Sequence, residues 1–150
     1  MIAAAESVTA GLASDFIARV PGASKVFWGS FVTYTADAKA KMLAVPEGLI
    51  KEHGEVSRPV ALSMAGGALK KSEADFAFSI TGLAGPLGDS SSAPVGTVWV
   101  GLAARGENPG SFYSRAKLFL FAGERNEVRE AAAAAALKEV LEIILTEGKF

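Results

Sequence analysis

The sequence predicts an α/β fold of three layers, α/β/α, around a mixed sheet. Three observations carry this. Short runs of β-branched, aromatic and small apolar residues alternate with segments of helical periodicity over the first 80 residues. Two later strand-like runs, residues 96–103 and 112–121, are separated by the turn sequence Glu107-Asn108-Pro109-Gly110 and read as a hairpin. A long helical segment, residues 125–145, closes the chain and can cover a face of the sheet.

The elements follow in order. Residues 2–5 are a short apolar run suited to a buried strand. From Thr9 the apolar residues Leu12, Phe16, Ile17 and Val20 recur at helical spacing, and Pro21-Gly22 stops the run. Residues 25–34 are rich in β-branched and aromatic side chains and predict a strand, with a bulge at Gly29-Ser30. Residues 35–43 predict a helix that ends before Val45-Pro46. A short helix over 47–53 is closed by Gly54. Ser57 is expected to cap a helix running to about residue 71, with Pro59 in its first turn and Lys70-Lys71 at its C-terminal end. Residues 75–80 read as a strand, and 81–94, with Ser90-Ser91-Ser92, as a turn-rich connection. In the last helix the six alanines Ala131 to Ala136 favour helix and permit close approach of neighbours.

The chain has 150 residues, with 15 Lys+Arg against 16 Asp+Glu and a net charge of −1. One domain spanning residues 1–150 is expected at that length. The balanced charge leaves no electrostatic footprint for nucleic acid or an anionic membrane. No apolar run approaches the roughly 20 residues that span a bilayer. The start lacks a basic region and is interrupted by Glu6, so no secretory signal is expected and the cytoplasm is the expected location. The chain has no cysteine, which excludes disulfides, thiolate metal sites and a cysteine nucleophile. His53 is the one histidine, which excludes a His-rich metal site or a two-histidine mechanism. The chemistry must therefore use Ser, Thr, Tyr, Lys, Arg or carboxylates.

In open α/β sheets sites form where strands end and helices begin, and two such places stand out. The first is Glu6-Ser7-Val8-Thr9-Ala10-Gly11, where Ser7 leaves a strand and enters a helix N-terminus. Unpaired N–H donors there suit a phosphate or a developing oxyanion, although Ser7 or Thr9 could equally be a plain helix cap. The second is Thr81-Gly82-Leu83-Ala84-Gly85-Pro86, followed by Pro94-Val95-Gly96-Thr97. Its glycines permit close backbone approach to a ligand, but neither nucleotide fingerprint is met, and a plain connection between strands remains open. Tyr34 and Lys39 flank the end of the second strand, and Arg125 opens the last helix. Taken singly, Lys39 reads as an exposed lysine, Arg125 as a surface charge and His53 as a helix-end residue. Asp37 and Glu6 are the nearest carboxylates, and nothing in the sequence pairs them. With no cysteine and with His53 read as a helix-end residue, the mechanism that fits is a serine hydroxyl activated by a lysine amine held neutral through burial or a cationic neighbour.

These motifs resemble the C-terminal domain family of the competence/damage-inducible protein CinA, whose members include nicotinamide mononucleotide deamidases. The resemblance runs from Ile2 to about Leu145 through A-E-S-x-T-x-G (residues 5–11), V-P-G-A-S (20–24), V-T-Y-x-x-x-A-K (32–39), L-x-V-P (43–46), H-G-x-V-S (53–57), T-G-x-A-G-P (81–86), P-V-G-T-V-W (94–99) and G-x-R (123–125). It implies hydrolysis of the carboxamide of nicotinamide mononucleotide to nicotinate mononucleotide and ammonia. It also implies Ser7 as nucleophile and Lys39 as base, Tyr34 and Thr81 supporting the dyad or substrate, and Arg125 at the phosphate. Thr9, Gly11, Gly82 and Gly85, from the two strand-end segments, complete the expected substrate-binding set. No cofactor and no metal are implied, and a homo-oligomer, at least a dimer, is.

The chain departs from the family pattern at three places. Val8 and Ala10 replace Cys and the first Gly of A-E-S-C-T-G-G. Ala10 is neutral if that position is helical and strained if it needs a positive φ. Leu87 replaces a Gly of the G-P-G-G loop and is expected to narrow or reshape it. The helix that commonly precedes the first strand, and the upstream domain of longer members, are not in the sequence, so a stand-alone domain with one covering helix lost is expected. These departures leave an alternative open: a non-catalytic nucleotide-binding or oligomeric interaction domain that keeps the fold.

Overall fold

A computed structural model describes residues 1–88, 93–106, 108 and 110–147. The strands are β1 Ile2–Glu6, β2 Phe27–Val32, β3 Phe76–Gly82, β4 Thr97–Arg105 and β5 Phe112–Leu120. The helices are α1 Leu12–Ala18, α2 Ala36–Leu43, α3 Glu47–His53, α4 Arg58–Lys71 and α5 Arg125–Glu147, with a 3-10 turn at Ala23–Lys25. The five strands form one mixed sheet in the order β2-β1-β3-β4-β5. β1 runs parallel to both neighbours, while β3–β4 and β4–β5 are antiparallel, the latter being the expected hairpin.

Helices cover both faces. One face buries Ala4, Phe76, Phe78, Ile80, Val98 and Val100 against α1 and α5, where Val128, Ala132, Ala133 and Ala136 pack. The other buries Ala3, Ala5, Ala77 and Ala103 against α2, α3 and α4, through Leu43, Val60, Met64, Ala65 and Ala68. The alternating assignment of Ala3, Ala4 and Ala5 follows the two-residue period of a strand buried on both sides. Small side chains on the second face let α4 settle close: a Cβ on Gly101 would stand 2.4 Å from the carbonyl oxygen of Ala61.

Several expectations need correction. α1 begins at Leu12 rather than Thr9, because residues 8–11 form a turn with Ala10 at φ 51° and Gly11 at φ 98°. Ala10 is therefore the left-handed alternative, not the helical one. Ser57 precedes α4 but does not cap it with its side chain; its hydroxyl donates to the carbonyl of Gly54 at 2.9 Å. Thr35 does cap α2, accepting from Ala38 N–H at 3.2 Å. The irregularity in β2 falls where Ile2 pairs with Phe27 and Ala3 with Gly29, one residue earlier than expected. Ser90 to Ser92, Glu107 and Pro109 lie outside the described residues. Among the described residues no helix is long and apolar enough to cross a membrane.

The topology places the site. From β1 the chain passes through α1 to β2 on one side, then returns through α2, α3 and α4 to β3 on the other. The crevice beyond the carboxyl ends of β1 and β3 is thus the switch point at which ligands bind in open α/β sheets.

Candidate active site

Ser7 is the first residue beyond β1. Its N–H donates to Ile80 O at 2.9 Å, and Thr33 N–H donates to Glu6 O at 2.8 Å, so the end of β1 is gripped by β3 on one side and the exit of β2 on the other. Strand alternation sends neighbouring side chains to opposite faces. Glu6 shares the parity of Ala4 and faces α1, whereas Ser7 shares that of Ala3 and Ala5 and faces the α2–α4 layer.

On that second face Lys39 projects from α2. It is fully buried (0% exposed), against the surface lysine that spacing alone suggests. Its Nζ donates to Ser7 Oγ at 3.0 Å and to Glu55 Oε2 at 2.7 Å. Glu55, in the turn between α3 and α4, occupies the variable position of H-G-x-V-S, and nothing in the sequence marked it. Thr81 Oγ1 donates to the Glu55 backbone carbonyl at 2.8 Å, so Thr81 meets this cluster through Glu55.

A cavity of about 190 Å³ opens here, lined among others by Ser7, Val8, Tyr34, Glu55, Thr81 and Arg125. Tyr34 and Arg125 meet at its wall: Arg125 donates to Tyr34 Oη at 2.8 Å and to Gly85 O at 2.5 Å. Gly82, Gly85 and Leu87 also line it, with Leu87 83% exposed. The glycines have a structural reason apart from any ligand. A Cβ on Gly82 would stand 2.7 Å from Val98 Cγ2 and 2.9 Å from Thr97 O, and Gly85 sits at φ 77°.

Two expected substrate contacts are placed differently. Thr9 is fully buried with no partner for its hydroxyl among the described residues, and it does not line the cavity. The N–H of Gly11 donates to Glu6 Oε2 at 2.9 Å, and those of Ala13 and Ser14 go to the same carboxylate. Glu6 thereby takes the helix N-terminus that the sequence suggested for a phosphate. Asp37 pairs with Lys41 on α2, away from this cluster. What stays available is the backbone N–H of Val8, next to the nucleophile candidate. It makes no hydrogen bond within the described residues. From α5, Arg129 donates to Val8 O at 3.1 Å and Thr9 O at 3.0 Å, pinning the same turn.

A serine hydroxyl touching a buried amine, beside a backbone donor with no partner among the described residues and in a cavity that a guanidinium also lines, is suited to acyl transfer from an anionic substrate.

A family model described as the CinA C-terminal domain matches residues 1–144. The nicotinamide-nucleotide amidohydrolase PncC of Escherichia coli (strain K12) is 46% identical over 138 residues, covering 91% of this chain and 80% of its own. A putative competence-damage inducible protein of Symbiobacterium thermophilum is 45% identical over 96% of this chain, which spans only 34% of that relative's length. The crystal structure of competence/damage inducible protein CihA from Agrobacterium tumefaciens matches with a TM-score of 0.85 at 39% identity, over 95% of this chain and 84% of that one. The competence damage-inducible protein A of Klebsiella pneumoniae matches with a TM-score of 0.90 at 28% identity, over 97% of this chain and 86% of that one.

Proposed function

The chain belongs to the CinA C-terminal domain family, and from that premise we propose that it is an amidohydrolase converting nicotinamide mononucleotide to nicotinate mononucleotide and ammonia. The observation that carries this reading is the 3.0 Å contact between Lys39 Nζ and Ser7 Oγ at the wall of the switch-point cavity. The 46% identity to the nicotinamide-nucleotide amidohydrolase supports this choice of substrate.

In this mechanism Lys39, as the neutral amine, takes the Ser7 hydroxyl proton while Oγ attacks the carboxamide carbon. The oxygen of the tetrahedral intermediate becomes an oxyanion, for which Val8 N–H is the available donor. Lys39 then returns the proton to the departing nitrogen, the C–N bond breaks and ammonia leaves. Water, deprotonated by Lys39, hydrolyses the acyl-enzyme. Arg125 holds the phosphate, and Tyr34 fixes the Arg125 guanidinium.

The test is ammonia release from nicotinamide mononucleotide by the parent, Ser7→Ala and Lys39→Ala. Turnover by the parent that both variants lose, with unchanged unfolding midpoints, is the expected result. Undiminished release by Ser7→Ala, or none from a folded parent, overturns the reading and favours a binding role.

A further inference from the structure

We propose that Glu55 is a positioning residue that relays a proton for the buried Lys39 amine, taking it before attack and returning it when the cycle closes. The inference rests on the Ser7–Lys39 reading above and concerns the same site.

The argument starts from access. Lys39 has no exposed surface, and Ser7 is only 7% exposed. Among the described residues the hydrogen-bond partners of Lys39 Nζ are Ser7 Oγ and Glu55 Oε2. The Glu55 side chain is 40% exposed and lines the cavity. The cluster is therefore a chain with one wet end: solvent, Glu55, Lys39, Ser7.

Chemistry gives that order a role. A lysine ammonium donates to the serine oxygen and cannot accept its proton. Before attack, one N–H proton must leave the amine. The 2.7 Å contact provides the route: the N–H bond breaks, an O–H bond forms on Glu55, and an ion pair becomes two neutral groups. The pair keeps its net charge of zero, so no isolated charge is left in the buried site. Lys39 then takes the Ser7 hydroxyl proton as Oγ bonds to the carboxamide carbon, and gives that proton to the leaving nitrogen. In the second half-reaction it takes a proton from water and returns it to Ser7 Oγ. Glu55 hands its own proton back to the amine once the cycle closes.

The placement of Glu55 is built into the fold. Thr81 Oγ1 holds its backbone carbonyl to the end of β3, and Ser57 closes the same turn onto Gly54. These two bonds fix the α3–α4 turn where its carboxylate meets α2. They also give Thr81 a purpose that needs no contact with substrate.

The experiment uses the full chain with Glu55→Gln, Glu55→Asp and Glu55→Ala. Two readouts are taken: kcat and KM for nicotinamide mononucleotide, and the rate at which a fluorophosphonate labels Ser7, followed by intact mass. The relay predicts that Glu55→Gln lowers kcat at least about tenfold with KM within about twofold, a threshold set below the usual range of about 100- to 10,000-fold for proton transfer. Glu55→Asp recovers most of the loss, and added formate restores part of the activity of Glu55→Ala. A parental kcat in Glu55→Gln, or a raised KM with kcat unchanged, overturns the relay; the latter would make Glu55 a contact for the cationic ring. If the parent labels at Ser7 but does not hydrolyse nicotinamide mononucleotide, the amidohydrolase reading fails and labelling alone decides. Labelling at least about tenfold slower in Glu55→Gln then supports the relay, whereas equal rates, or no labelling of the parent, overturn it.

Discussion

The carboxylate of Glu6 accepts the backbone N–H of Gly11 at 2.9 Å, across the turn that carries Ser7. The same side chain, fully buried, also takes the N–H groups of Ala13 and Ser14 and the Ser14 hydroxyl. An acidic residue at a helix N-terminus is favoured by the dipole and by the orphan donors there. Here it comes from the strand that the helix follows, so it locks the turn from within.

Glu6→Ala is accordingly expected to destabilise the fold by about 3 kcal/mol, since several donors lose a charged acceptor in a buried place. Glu6→Gln keeps one acceptor oxygen and is expected to cost about half as much. Urea unfolding midpoints check both. Parental stability in Glu6→Ala would mean that the turn is held by something else, with Arg129 the first alternative.

Arg129 grips the same turn from α5, through the carbonyls of Val8 and Thr9. Arg129→Met keeps much of the apolar stem and removes the clamp. It is expected to lower kcat about tenfold, the effect of a small misplacement of reacting groups, with KM little changed. Steady-state kinetics beside an unfolding curve separate this from simple loss of folded protein. A variant that loses stability but keeps its kcat would show a brace with no bearing on the nucleophile.

Ala10 sits at φ 51° where the family pattern has glycine. A left-handed conformation costs a side-chain-bearing residue about 1–2 kcal/mol, and glycine gives back about 0.4–1 kcal/mol through its freer unfolded chain. Ala10→Gly should therefore raise stability by about 0.5–1 kcal/mol, read as a higher urea midpoint at unchanged slope. Since Ala10 is exposed, no packing change obscures the comparison.

The three layers, the hairpin and the two strand ends at the site were legible in the sequence because each depends on local pattern: period two, period 3.6, and turn chemistry. Ser7 was legible for the same reason, as a hydroxyl at a strand end. Lys39 was not, taken alone. An Ala-Lys-Ala-Lys helix reads as solvated, and only the approach of α2 to the end of β1 buries one of its lysines. Glu55 was illegible altogether, because its contact with Lys39 joins two elements through a turn whose path is set by Thr81 on a third. Glu6 lay between these cases. Its parity with Ala4 already put its carboxylate on the α1 face, and applying strand alternation one residue further would have predicted that the helix donors were taken.

Arg125 offers the sharpest test of substrate recognition. Its guanidinium has five N–H donors, of which one goes to Tyr34 Oη and one to Gly85 O. The remainder can serve a phosphate in the planar fork geometry that suits it. If they do, Arg125→Ala should reduce kcat/KM for nicotinamide mononucleotide about 10- to 100-fold, the equivalent of one charge-assisted hydrogen bond of about 1.5–3 kcal/mol. The corresponding riboside lacks the phosphate, so its turnover, however slow, should change by no more than about threefold, well under the energy of one such bond. Tyr34→Phe removes the acceptor that orients the guanidinium and should show the same selectivity at smaller size. An equal loss for nucleotide and riboside would assign Arg125 to holding the Gly85 loop, and the phosphate would have to be met elsewhere in the cavity.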